Sequence, residues 1–205
     1  KRQICSMLFI IPGFPFITSG IDLAKLDLRS GLERLTYSII IVLVATMFAW
    51  IMALLLKLQP QDFVALHLGS MMHLVLRLIA SFCGVFGFSI MFNSSVYIAA
   101  TAACIGAVAN TLRLELVDYT GMPSAAAAFI GALTAGLLAS IIKRNHGYPR
   151  ISLTVPSIVI MVPGLYLYRA IYNFGIMSLT EAVLWFAAAI MIIVSLPLGP
   201  IFARI

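Results

Sequence analysis

The sequence predicts an all-α integral membrane protein, a polytopic helical bundle organised as an inverted repeat. Three observations predict it. Of the 205 residues, 62% are hydrophobic and 10% are charged, whereas soluble domains run near a quarter charged. Apolar runs recur at about 20 residues, the length that crosses about 30 Å of hydrocarbon. One Pro-Gly pair occurs twice, each time inside such a run.

Seven spans follow in order. Residues 3–21 are uncharged but interrupted by Pro12, Gly13 and Pro15. Residues 35–56 form an unbroken run between Arg34 and Lys57. Residues 78–112 carry no charge and are too long for one crossing. Asn93-Ser94-Ser95 is the natural reversal, giving a third span to Phe92 and a fourth from Val96 to Leu112. The fifth covers 124–142. The sixth, 151–168, contains Pro156, Pro163 and Gly164, and the seventh, 182–203, ends on Pro197 and Pro200. Between spans two and three, residues 63–77 mix His67, His73 and Arg77 with apolar positions. They read as an interfacial lead-in helix, with one long tilted helix as the alternative.

Charge placement sets an orientation. Lys25, Arg29, Arg34, Lys143, Arg144, Arg150 and Arg204 fall on one side, seven in all, against Lys1, Arg2, Lys57 and Arg113 on the other. The first side is expected to be cytoplasmic. The net charge of +6 therefore reports topology, and nucleic-acid binding is not expected. Lys1 and Arg2 on the less basic side suggest that the natural chain continues upstream. Cys5, Cys83 and Cys104 all lie in apolar stretches without a CxxC pair, as free membrane-buried thiols would.

The repeat is the most informative feature. Ile10-Ile11-Pro12-Gly13-Phe14-Pro15-Phe16 aligns with Met161-Val162-Pro163-Gly164-Leu165-Tyr166-Leu167 at an offset of 151. Each is followed by a polar stretch and a Ser-x-x-Glu string, Ser30 to Glu33 and Ser178 to Glu181, which reads as a capping box. Five crossings separate the copies, so they should run in opposite directions, as in many secondary transporters. Proline has no amide hydrogen, so the carbonyls of Leu8 and Val159 lose their helical partners. In lipid such groups must be satisfied by protein, water or a solute. Half-helix ends at mid-membrane also carry partial charges suited to carboxylates and ammonium groups.

At these residues the chain resembles the threonine/serine exporter family. The resemblance runs from Pro12-Gly13-Phe14-Pro15 through Ser30-Gly31-Leu32-Glu33-Arg34-Leu35, then Phe86-Gly87-Phe88-Ser89-Ile90-Met91-Phe92-Asn93, and Val155-Pro156 to Pro163-Gly164. It implies inverted five-span repeats, the first incomplete in this chain. Residues 1–62 would hold the last two spans of an N-terminal half and residues 63–205 a C-terminal five-span half. It also implies proton-coupled export of threonine and serine across a bacterial inner membrane. A related two-subunit branch exports succinate.

Candidate site residues follow from polarity inside spans. Pro12, Gly13, Pro163 and Gly164 are the breaks. Asn110 and Arg113 close the fourth span, and Arg113 either faces a substrate or snorkels to the interface. Arg169 and Asn173 follow the second break, with Arg169 open to a carboxylate or to an aromatic belt. Asp22, Asp27 and Glu181 are candidates for proton coupling, although Asp22 and Asp27 read more readily as loop charges pairing with Lys25 and Arg29. His67 and His73 lack metal-ligand spacing. Gly131, Ala135, Gly136 and Ser140 allow close helix packing. With no GxSxG, HExxH or P-loop string, neither an enzyme nor a cofactor is expected. The expected partners are a small polar substrate (an amino acid or a dicarboxylate), protons and lipid; a homo-oligomer is left open. The competing reading is a non-transporting membrane subunit whose breaks are kinks.

Overall fold

The computed structural model describes residues 12–55 and 69–203. Eight helices succeed one another: α1 (Gly13–Ala24), α2 (Leu28–Leu55), α3 (Ser70–Met91), α4 (Val96–Thr120), α5 (Ser124–His146), α6 (Arg150–Val159), α7 (Gly164–Gly175) and α8 (Leu179–Phe202). Among the described residues there is no strand. Helices α2, α3, α4, α5 and α8 are each long and apolar enough to cross a membrane, and α6 with α7, bent by 41° at their break, forms either a further broken span or a re-entrant loop. The chain is a multi-pass integral membrane protein. Of the seven expected spans, the first is described from Pro12 onward, as α1, and its earlier residues lie outside the described residues.

Helices overrun the apolar runs from which they were read. α2 begins at Leu28 rather than at residue 35, and its 28 residues span about 42 Å at 1.5 Å per residue. A polar residue ends an apolar run without ending a helix, because its backbone can still bond to the turn before. For the same reason residues 70–77 belong to α3, which runs unbroken from Ser70 to Met91; residues 63–68 of the expected lead-in helix lie outside the described residues. The reversal falls where expected. Asn93 takes a left-handed conformation (φ 57°), which asparagine tolerates, and the Ser94 amide donates back to the Ser89 carbonyl at 3.1 Å. Pro197 and Pro200 sit inside α8 without breaking it.

The interior is built from small side chains. Ala127, Ala128, Ala132, Ala135 and Ala139 on α5 are all fully buried. A methyl group placed on Gly136 would stand 2.7 Å from Ala203 Cβ and 3.0 Å from Pro200 Cα. The α5–α8 pair therefore packs backbone to backbone, as the Gly131–Ser140 stretch led us to expect. Ser140 sits in the same seam and its hydroxyl donates to the Gly136 carbonyl at 2.8 Å. The outward faces of α2 and α3 show Ile40, Met47, Phe48, Met71 and Ile79, a surface suited to lipid. Cys83 and Cys104 are free and lie on outward faces.

Candidate functional site at the two helix breaks

The two Pro-Gly pairs adopt one backbone geometry. Pro12 has φ −76° and ψ 67°; Pro163 has φ −81° and ψ 55°. Each starts a helix of 12 residues, α1 and α7. Phe16 donates to the Pro12 carbonyl at 3.2 Å and Leu167 to that of Pro163 at 3.1 Å. Each helix then closes on a left-handed residue that is not glycine, Leu26 (φ 64°) and Met177 (φ 61°). Such residues cost about 1–2 kcal/mol of backbone strain. Asp27 donates to the Asp22 carbonyl at 3.1 Å, and Ser178 to that of Asn173 at 2.9 Å. α2 and α8 then begin at Leu28 and Leu179. Every one of these pairs shares the offset found in the sequence.

The copies also meet. A methyl group on Gly13 would stand 3.1 Å from Val162 Cγ2 and 3.2 Å from Val159 Cγ1, so the first break lies against the second. Phe16 and Leu167, equivalent residues, share one apolar cluster with Val42, Ala189 and Ile193, and Val42 and Ile193 are equivalent in turn. α1 crosses α8 where Gly20 receives the Pro197 ring, and α7 crosses α2 where Gly175 receives the Trp50 indole. The copies thus contact crosswise, each short helix against the long helix that follows the other.

Next to the second break stands Arg113. It does not snorkel: its Nη1 donates to the Met161 carbonyl, 2.9 Å away, one of the groups the break releases. Its Nε is sealed from solvent and has no partner among the described residues. None of the ion pairs among the described residues involves it. α5 closes over the side chain at Gly131, where a methyl would stand 3.2 Å from Arg113 Cβ and 3.3 Å from Met161 Sδ. Asn110, nearly one turn earlier, is buried and donates to Ser81 Oγ at 2.8 Å.

Arg169 places its guanidinium 4.6 Å from the centre of the Trp185 ring, a cation–π contact, and Trp185 meets Tyr166 edge to face at 5.3 Å. Asn173 spends its amide on its own helix, donating to the Arg169 carbonyl at 2.9 Å. Asp22 accepts from Ser30 Oγ at 3.1 Å and pairs with Arg34 at 3.1 Å. It is thus a paired charge, but its partner is Arg34 rather than Lys25 or Arg29. Asp27 caps α2 by accepting from the Ser30 amide. That corrects the first expected capping box: the left-handed Leu26 starts the helix at Leu28, Asp27 takes the cap, and Glu33 pairs with Arg29 at 3.3 Å. In the second string Ser178 stands at the cap position without a side-chain hydrogen bond, and Glu181 is exposed in the first turn.

One cluster escaped the sequence reading. Arg77 on α3 pairs with Glu115 of α4 at 2.9 Å and also with Asp118. The signal was present, since both partners stand at similar distances in residues from the 93–95 reversal, and an antiparallel hairpin brings such positions together. A cavity of about 380 Å³ lies between α1, α5, α6 and α8, lined by Ile21, Lys143, Arg150, Thr154 and Pro200 among others. Arg150 Nη2 donates to the Pro200 carbonyl at its edge, 2.9 Å away.

A bundle of membrane-crossing helices around two facing, repeated Pro-Gly breaks defines the class: a polytopic α-helical membrane protein with a duplicated broken helix. A family model described as "Threonine/Serine exporter, ThrE" matches residues 77–205, and a second threonine/serine exporter model matches residues 3–57. The chain belongs to the threonine/serine exporter family. Comparison with curated proteins found no match, and comparison with solved structures found none.

Proposed function

We propose that the chain works as a secondary transporter exporting threonine and serine, driven by the proton gradient, by alternating access around the paired breaks. The observation that carries this is the packing of two breaks of one geometry against each other, Gly13 on Val159 and Val162. Opposed copies of a broken helix give a site at their junction that is exposed first to one side and then to the other. The basic ends of α5 and α6 would face the cytoplasm of a bacterial cell, which puts the Lys143–Arg150 cavity on the side from which an exporter loads. Asp22 is the best placed of the three candidate proton carriers, because its ion pair with Arg34 ties α1 to α2 and protonation would release that tie. Vesicles reconstituted with the full-length protein should release threonine or serine under an imposed pH gradient and stop when it is dissipated. Absence of gradient-dependent flux for both would overturn the proposal.

A second reading, dicarboxylate export, has one observation in its favour. Arg113 and Arg169 flank the second break, and neither forms an ion pair among the described residues. Competition of succinate against threonine in the same vesicles separates the two.

A further inference from the structure

A guanidinium turned into a membrane bundle without a carboxylate partner is costly, so its environment should explain it. Arg113 receives only part of that compensation. Nη1 takes the Met161 carbonyl, and Nε, the atom that with Nη2 forms the side-on face for a carboxylate, is buried without a partner among the described residues. The Met161 carbonyl is itself a product of the break. Just beyond it, the first turn of α7 leaves amide hydrogens without helical acceptors at the positive end of the half-helix.

We infer that Arg113 is the residue that binds the α-carboxylate of the transported amino acid, and that the Met161 carbonyl binds its ammonium group. Arg113 and Met161 satisfy each other in this structure, cation against carbonyl. A zwitterion inserted between them replaces that contact with two charge-assisted ones. The carboxylate takes the Nε–Nη2 edge and the α7 amides, and the ammonium takes the carbonyl that Arg113 gives up. The exchange gives the buried Nε the partner it lacks and costs Nη1 the one it has, and the two charge-assisted contacts to the zwitterion outweigh that single loss. Gly131 of α5 closes against the arginine at its Cβ. The second break thus supplies both poles of the site. The assignment rests on the transport reading for the identity of the ligand.

Binding is measured on the purified full-length protein by ligand-induced thermal stabilisation and by calorimetry. Three probes are used: L-threonine, its amino alcohol without the carboxylate, and 3-hydroxybutyrate without the ammonium. Threonine should bind, and either truncated probe should bind at least about tenfold more weakly. Arg113→Gln should lose threonine binding by at least about tenfold, and Arg113→Lys should recover part of it. Arg29→Gln, on the exposed surface of α2, should stay within about threefold of wild type. Threonine binding to Arg113→Gln at wild-type strength, or equal binding of the amino alcohol, overturns the assignment. If Arg113→Gln does not fold, the probe series on the wild-type protein decides alone. Should the wild type bind succinate instead of threonine, and Arg113→Gln lose it, the carboxylate role of Arg113 stands while the amino-acid reading fails. No binding of any carboxylate probe overturns the inference.

Discussion

Gly13 opens the first half-helix and lies against Val162, the residue before Pro163; a methyl group there would stand 3.1 Å from Val162 Cγ2 and 3.5 Å from the Val159 carbonyl oxygen. The two breaks therefore touch at the first position of α1, which has no side chain. Gly13→Ala should be tolerated with partial loss of flux, since the valine side chains need to yield only a few tenths of an ångström. Gly13→Leu cannot fit without parting the breaks. It should destabilise by about 1–3 kcal/mol and lower threonine efflux by at least about tenfold. The graded series is read by thermal unfolding in detergent and by efflux from vesicles. Full activity of Gly13→Leu would show that the breaks do not work as a pair.

Asp22 and Asp27 sit five residues apart but do different work. Asp22 bridges α1 to Ser30 and Arg34, whereas Asp27 holds the start of α2 through the Ser30 amide. Asp22→Asn should keep threonine exchange between the two sides of a vesicle while losing acceleration by a pH gradient. Asp27→Asn should change neither, because asparagine caps as well as aspartate, and Asp27→Ala should cost about 1 kcal/mol of stability. Gradient-driven efflux by Asp22→Asn at the wild-type rate would remove Asp22 from the coupling role.

The repeat was legible in the sequence because its cause is covalent: proline lacks an amide and glycine lacks a Cβ wherever they stand. The Asn93–Ser95 reversal was legible for a similar local reason, an asparagine able to take φ 57° between two uncharged runs. What was not legible depends on distant partners. Whether Arg113 snorkels or turns inward is decided by a carbonyl 48 residues away that another helix sets free. The ion pair of Arg77 with Glu115 spans 38 residues. The Ser30 capping string failed for a subtler reason, since the helix start is fixed upstream by Leu26, and Asp27 reaches the orphan amide first.

The Arg77–Glu115 pair ties α3 to α4 with both side chains largely covered, 23% and 20% exposed. Removing Arg77 leaves Glu115 and Asp118 without their shared cation, and removing Glu115 leaves the half-exposed Asp118 to hold Arg77 alone. Arg77→Gln or Glu115→Gln should each destabilise by about 1–3 kcal/mol. The double replacement Arg77→Met with Glu115→Met should cost clearly less than the two single methionine variants added together. Asp118, the second partner of Arg77 and half exposed, should contribute at most about 1 kcal/mol. Equilibrium unfolding in mixed micelles measures each cycle, and additive effects would show that the pair is not coupled.

The cavity between α1, α5, α6 and α8 makes a prediction about both sidedness and charge. Thr154 lines it beside Lys143 and Arg150, although its hydroxyl donates to the Arg150 carbonyl at 2.8 Å. In a background with Cys5, Cys83 and Cys104 replaced, Thr154→Cys should react with membrane-impermeant thiol reagents from the side carrying the basic loops. Inside-out vesicles should be modified and right-side-out vesicles spared. Two cations at the cavity raise the local concentration of anions and depress that of cations. An anionic thiosulfonate should therefore react several-fold faster than a cationic one, and the difference should shrink as salt rises. Lys143→Gln should narrow the ratio, because it removes one of those cations. Saturating threonine should slow the reaction if the cavity is the route to the breaks, since Ile21 on α1 and Val155 on α6 place it beside both broken segments. Modification from the opposite side would reverse the orientation drawn from the lysine and arginine count. Equal rates for the two reagents would show that the cations do not govern access.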